Sequence, residues 1–168
     1  SVGSDISYSD FGFGTGTWGT STWGTPRTQV QLETLKARTW HFDNFGEVLL
    51  LQLVDGALYQ WLPTDGVDNR ATLVSGAPTK NGYMLVSSPD RHLVAFGTET
   101  IIGDPDTQDP LFVRFSNQED INTFSESATN TAGGQRLSDG NRIQTAVRSR
   151  GQILIFTDTS LHGMQYIG

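Results

Sequence analysis

One repeated pattern restricts what this chain can fold into. Gly46 to Trp61 reads GEVLLLQLVDGALYQW, and Gly151 to Gly168 reads GQILIFTDTSLHGMQYIG. The two align without a gap. Gly46 matches Gly151, Val48-Leu49-Leu50-Leu51 matches Ile153-Leu154-Ile155-Phe156, and Gln60-Trp61 matches Gln165-Tyr166. Each is an apolar run, then polar turn residues, then a second short strand, predicted at Leu58–Leu62 and at Met164–Ile167. A fainter copy begins near Arg91, with His92 to Phe96 as a buried strand and Leu111 to Ser116 as an outer one. The matching positions Gly46, Arg91 and Gly151 stand 45 and 60 residues apart. A unit of about four antiparallel strands, recurring every 40–50 residues or so, is the sequence signature of a β-propeller blade.

The intervening residues supply the remaining strands. Thr39–Phe42 reads as a strand, followed by a turn at Asp43-Asn44-Phe45-Gly46. The inner strand Val48–Val54 then turns at Asp55-Gly56, a two-residue hairpin signal. Further strands are predicted at Ala71–Ser75, Tyr83–Val86, Gln135–Ser138 and Ile143–Arg148, with a turn at Ser88-Pro89-Asp90. In Leu111–Ser116, Leu111, Val113 and Phe115 share one face, and Phe112 and Arg114 the other. The expected fold is all-β: antiparallel, β-propeller-like blades, about three of them, forming part of a larger propeller. Blades are expected near 27–78, 79–138 and 139–168, the last incomplete. The chain has no initiator Met and stops directly after a strand, so a longer polypeptide, or other chains, are expected to complete the ring.

Residues 1–26 differ from the rest. Thr-x-Thr-Trp-Gly occurs in tandem, at Thr15–Gly19 and Thr20–Gly24. Gly and Thr disfavour helix, and Phe11, Phe13, Trp18 and Trp23 are large apolar surfaces that a free tail would expose to aggregation. An extended Gly/aromatic arm that inserts these four side chains into a neighbouring subunit is the preferred expectation over a disordered tail. Gly14-x-Gly16-x-x-Gly19 matches a dinucleotide fingerprint formally, but no apolar strand precedes it and a Trp stands where helix packing would begin. Thr28–Arg38 is ambiguous: Val30 and Leu32 alternate as in a strand, while Leu32 and Leu35 suit a short helix.

Composition narrows function. Charged residues are 17% and hydrophobic residues 36%, with 19 Gly making up part of the difference, a mix that favours short strands and turns. The net charge of −7 argues against a sequence-independent grip on nucleic acid, which needs clustered Lys and Arg. There is no Cys, so disulfides and thiolate metal sites are excluded. The longest aliphatic run, Val48–Leu51, is too short to cross a bilayer.

No catalytic constellation emerges. His41, His92 and His162 lack ligand spacing, and a lone His at a strand edge is ordinarily packed or solvated. There is no Gly-x-Ser-x-Gly elbow and no phosphate-binding glycine loop. The pair Glu119-Asp120 carries no mark of a buried general acid. Asp104, Asp106 and Asp109 could hold a hard cation but lack the EF-hand glycine and distal Glu, so a solvated loop is expected. Arg136, Arg142, Arg148 and Arg150 read as salt-bridge partners rather than a phosphate track. No catalytic, cofactor-binding or metal residues are therefore assigned, and the subunit-contact candidates are Phe11, Phe13, Trp18 and Trp23.

Four strings together carry a resemblance: RTWHFDNFGEVLLL, SSPDRHLVAFGT, LFVRFSNQEDINTFSESATNTAGG and RGQILIFTDTSLHGMQYIG. With the Gly/aromatic arm, they resemble propeller-containing structural proteins of bacteriophage tails, of the nozzle, hub or DNA-stabilisation type. The motifs that weigh most are Arg114 to Gly133 and the closing strand pair Ile153 to Tyr166. The resemblance implies a non-enzymatic virion component in a homo-oligomeric ring, with six copies as one arrangement, joined to other tail or connector proteins. DNA would pass through without specific binding, and no membrane insertion or cofactor is implied. A carbohydrate-binding or receptor-binding propeller is the alternative, its exposed Trp residues stacking on sugars; a glycoside hydrolase propeller is a third reading.

Overall fold

The computed structural model describes residues 39–88 and 90–167, all within one compact unit, Arg38–Gly168. The expected arm, the ambiguous Thr28–Arg38 segment and Pro89 lie outside the described residues. What is described is all-β, with three antiparallel sheets and two single-turn 3-10 segments at Pro63–Asp65 and Pro105–Thr107.

The first sheet is β1 (Trp40–Phe45), β2 (Val48–Leu53), β3 (Leu58–Trp61) and β4 (Thr72–Leu73), in that order. The second is β5 (Tyr83–Val86), β6 (Leu93–Phe96), β7 (Phe112–Phe115) and β8 (Gly133–Arg136). The third has three strands, β9 (Ile143–Ser149), β10 (Gln152–Thr157) and β11 (Leu161–Met164). Each strand pairs with its neighbour in sequence, so every sheet is a blade-like meander.

The period read from the sequence has a backbone cause. Gly46, Arg91 and Gly151 all sit at the first turn of their sheets with left-handed backbone, at φ 64°, 48° and 79°. Two of these turns are two-residue hairpins, closed by Phe45↔Val48 and Ser149↔Gln152. Such turns need a positive φ, which glycine adopts without a Cβ penalty. Arg91 takes the same conformation with outside help: it pairs with Glu119 at 3.0 Å, and its guanidinium lies 5.0 Å from the Phe45 ring centroid.

The second sheet is the middle layer. Strand residues alternate between faces, and here both faces are covered. Met84 and Val86 of β5, with Leu93 and Ala95 of β6, face the first sheet, where they meet Phe45, Leu50 and Leu58. Leu85, Val94 and Phe96 face the third, where they meet Ile143, Ala146, Ile153 and Ile155. That is why His92–Phe96 reads as an unbroken apolar run. The loop after β7, polar in sequence, also plugs Ile121 and Phe124 into the first core.

Several expectations need correction. The predicted turn at Asp43–Gly46 is strand as far as Phe45, and the turn is Gly46-Glu47. The closing strand is Leu161–Met164 rather than Met164–Ile167. The gapless match of Gln60-Trp61 to Gln165-Tyr166 fails for the same reason. Leu49 faces Trp61, but its counterpart Leu154 faces Gly163, because the third sheet's second hairpin is shorter. The inner-strand part of the alignment agrees in facing: Leu50 and Ile155 are both buried. The outer strand expected at Gln135–Ser138 is Gly133–Arg136. The strand labelled inner, β2, is central in its sheet, and it is β1 that neighbours the next sheet.

The first strands hold the three sheets together. β1 lies against β5, and β5 against β9. Asp43 of β1 joins all three sheets: its Oδ2 accepts the Val86 N–H at 2.8 Å, and its Oδ1 accepts from Arg148 Nη2 at 3.1 Å. Arg148 Nη1 also donates to the Val86 carbonyl at 3.1 Å. Farther out, Gln52 Nε2 donates to the Asn81 carbonyl at 2.5 Å, and Asn81 Nδ2 to the Gly56 carbonyl at 3.2 Å.

The stack does not close on itself. The outward face of the first sheet carries Phe42, Leu51, Tyr59 and Leu73 in one cross-strand row. The outward face of the third carries the rows Val147–Leu154 and Phe156–Leu161. Phe42 is 60% exposed, Leu73 59%, Val147 50% and Leu161 56%.

Candidate functional site

A cleft of about 710 Å³ opens between the second and third sheets. Its floor is apolar, built from the facing sides of β6, β7 and β10: Val94, Val113, Ile153 and Ile155. Two aromatic rings, Phe115 and Tyr166, flank it. Asp90, Ser87, Gln152 and Arg148 supply polar groups, and Asp90 is the only carboxylate among its described lining residues. The cleft has a topological origin. The second sheet has a fourth strand, β8, whereas the third ends at β11 among the described residues. Gln135 and Leu137, on and just after β8, therefore line open space rather than a facing strand.

His92 lies in this cleft. It precedes a strand buried on both faces, so it is buried as well, with 4% exposure. Its Nδ1 is 2.8 Å from the Ser116 carbonyl, and its Nε2 has no hydrogen-bond partner among the described residues. The ring stands edge-on to Phe115 at 6.2 Å and is tilted against Tyr166 at 5.1 Å. In the sequence, His92 reads as an ordinary strand-edge histidine. The available signal was the unbroken apolar run after it, which marks a strand with no solvent face.

The other two histidines lie elsewhere. His41 is edge-on to Tyr83 at 4.6 Å, and burial lowers its pKa below the ordinary 6.5. His162 Nε2 is 2.9 Å from Ser160 Oγ. No group of three His, Cys, Asp or Glu side chains converges on a metal position among the described residues. The acidic loop is committed locally: Asp104 accepts from the Asp106 N–H at 3.2 Å, and Asp109 pairs with Arg136 at 2.6 Å. Glu119 pairs with Arg91, and Asp120 accepts from the Asn122 N–H at 2.8 Å. Of the four arginines read as salt-bridge partners, Arg136 and Arg148 make such pairs.

Sequence reasoning missed one buried ionic group. Glu99 is fully buried and accepts from the Thr79 N–H at 3.0 Å, the Thr79 hydroxyl and the Gly103 N–H at 2.7 Å. Arg114 is 6% exposed, donates to the Thr100 carbonyl at 2.8 Å and lies 5.2 Å from the Phe112 ring centroid. Burial lowers its pKa, while Glu126 and Glu99 oppose that. These groups brace the loops after β6 and do not reach the cleft. The four subunit-contact candidates Phe11, Phe13, Trp18 and Trp23 lie outside the described residues.

No family model matches the chain, and no curated protein or solved structure gives a significant match. No helix among the described residues is long and apolar enough to cross a membrane. The cleft presents apolar walls and a polar rim, with buried His92 among its lining residues.

Proposed function

We propose that this chain is a non-enzymatic structural component of a tailed-phage virion, part of a nozzle, hub or head-to-tail connector ring around the DNA channel. The observation that carries the reading is the open stack. Within the chain, sheet packs on sheet twice through apolar faces, yet the two end faces present Phe42, Leu73, Val147 and Leu161 to solvent. Contiguous exposed apolar surface of this kind marks an interaction face. Further sheets, from copies of the chain or from a continuing polypeptide, would cover both ends, and head-to-tail contacts of this type form a ring when the rotation between units closes. The net charge of −7 suits a channel wall that repels phosphate, so DNA slides without sticking. A glycoside hydrolase needs two carboxylates facing one pocket, and the cleft offers Asp90.

Native mass spectrometry and negative-stain microscopy of the full chain test the reading. Closed rings support it, and a strict monomer that binds glycans on an array overturns it. Deleting residues 1–26 should abolish ring formation and leave the β circular-dichroism signal unchanged. Rings that survive the deletion would rule out the clasping arm.

A further inference from the structure

The two end faces of the stack differ from ordinary solvated strand faces. An antiparallel sheet with one wet face alternates apolar and polar residues. Here the register turns Trp40, Phe42 and Asn44 of β1 outward, with their partners Leu53, Leu51 and Leu49 of β2. On the third sheet it turns Thr145, Val147 and Ser149 of β9 outward, with Phe156, Leu154 and Gln152 of β10. The seven strands of these two sheets hold two charged side chains, Asp43 and Arg148. Both reach toward Val86 of the second sheet, and they pair with each other at 3.1 Å. The outward faces therefore carry no Asp, Glu, Lys or Arg on any of these strands, in a chain of net charge −7. Depletion of charge around aromatic and aliphatic side chains characterises the core of an interface.

The junctions inside the chain set what fits these faces. The side of the first sheet that bears Phe45 and Leu50 meets the side of the second that bears Met84 and Leu93. The other side of the second, with Leu85 and Phe96, meets the side of the third that bears Ile153 and Ile155. Both junctions run in one sense along the stack, each sheet's forward side on the next sheet's rear side. The two remaining sides are the rear of the first sheet and the front of the third, the two halves of one further junction. Their relief agrees. The rear side bears the rings of Trp40, Phe42 and Tyr59, whereas the forward side has a lower row, Val147–Leu154–Gly163. Large side chains set against small ones let facing layers interdigitate.

Resting on the ring reading, we infer that the occupant of each end face is a second copy of this chain, docked opposite side to opposite side. The front of the third sheet in one copy packs on the rear of the first sheet in the next. β9 then lies beside the neighbouring copy's β1, as β1 lies beside β5 and β5 beside β9 within the chain.

Two variants of the full chain test this by complementation. Phe42→Glu blocks the rear side and Val147→Glu the forward side, each at an exposed position outside both cores. Circular dichroism should match the wild type; Leu73→Glu and Leu161→Glu, on other strands of the same two sides, replace either variant that unfolds. By sedimentation velocity, each variant alone should self-associate roughly tenfold or more weakly than the wild type, because every junction would bury an unpaired carboxylate. Mixed in equal amounts, the two should form a heterodimer at near wild-type strength and grow no further. The intact forward side of the first variant meets the intact rear side of the second, and the other ends are blocked. If only one variant weakens association, like sides meet and the proposal is overturned. It is equally overturned if neither variant weakens association, or if both do and the mixture fails to recover. Rings that persist in either variant leave the ring reading standing without this contact. Complementing variants of a wild type that forms open chains keep the contact and remove the ring. A wild type that stays monomeric removes both.

Discussion

At the scale of single residues, the side chains that matter most are those that replace backbone pairing. Asp43 and Asn44 are turn formers by sequence, yet both stand in β1, because the Asp43 carboxylate finds partners on two other sheets. Asp43→Ala would strip a carboxylate from the Val86 N–H and from Arg148, and should cost about 2–3 kcal/mol. Arg148→Met should cost about 1 kcal/mol, since the arginine is partly solvated and its pair is screened. Urea midpoints at constant m value check the order, and a larger loss for Arg148→Met would sink it. His41 gives a pH signature. Burial lowers its pKa in the folded state, so over the interval just below 6.5 the unfolded chain binds more protons than the folded one. Stability should therefore fall as pH drops from neutral through that interval, and level off below the folded pKa. His41→Phe should flatten the dependence, as read from thermal midpoints between about pH 5 and 7.

Elements show how far local pattern carries. Tyr83–Val86 was legible to the residue, and Gly46 and Gly151 were legible as matching positions, because an apolar run and a recurring glycine are local signals; their left-handed backbone is a finding of the structure. β8 was misplaced, because its start is set by aromatic cover from the next strand. A Cβ on Gly133 would lie 2.7 Å from Phe115 Cζ, and one on Gly134 would lie 2.7 Å from Phe112 Cε1. The two Phe rings fill the space that side chains of β8 would occupy. Gly134→Val should cost roughly 1–3 kcal/mol through overpacking. Gly151→Ala meets no atom within 4 Å and should cost about 1 kcal/mol from its positive φ alone. Thermal unfolding of the pair checks this; the reverse order would refute the aromatic cover.

At the scale of the whole fold, the governing fact among the described residues is that the middle sheet is covered on both faces and the end sheets on one. Phe42→Ser with Leu73→Ser would remove exposed apolar area from one end face while leaving both cores untouched. Self-association should weaken at least tenfold with the thermal midpoint nearly unchanged, as followed by sedimentation velocity. Association that persists at wild-type strength would show that this face is not the contact. The cleft belongs to the same scale, since among the described residues it is lined from both the second and the third sheet.

The sequence by itself determined the all-β class, the antiparallel meander, most strand positions and the period marked by Gly46, Arg91 and Gly151. Those are consequences of side-chain alternation and backbone handedness, which act within a few residues. Only the tertiary structure decided that β5 and β6 form the middle layer, that Asp43 reaches Val86 and Arg148, and that His92 keeps a buried acceptor in a cleft. Those depend on which faces meet, and residues as far apart as Asp43 and Arg148 meet through packing that no local pattern encodes.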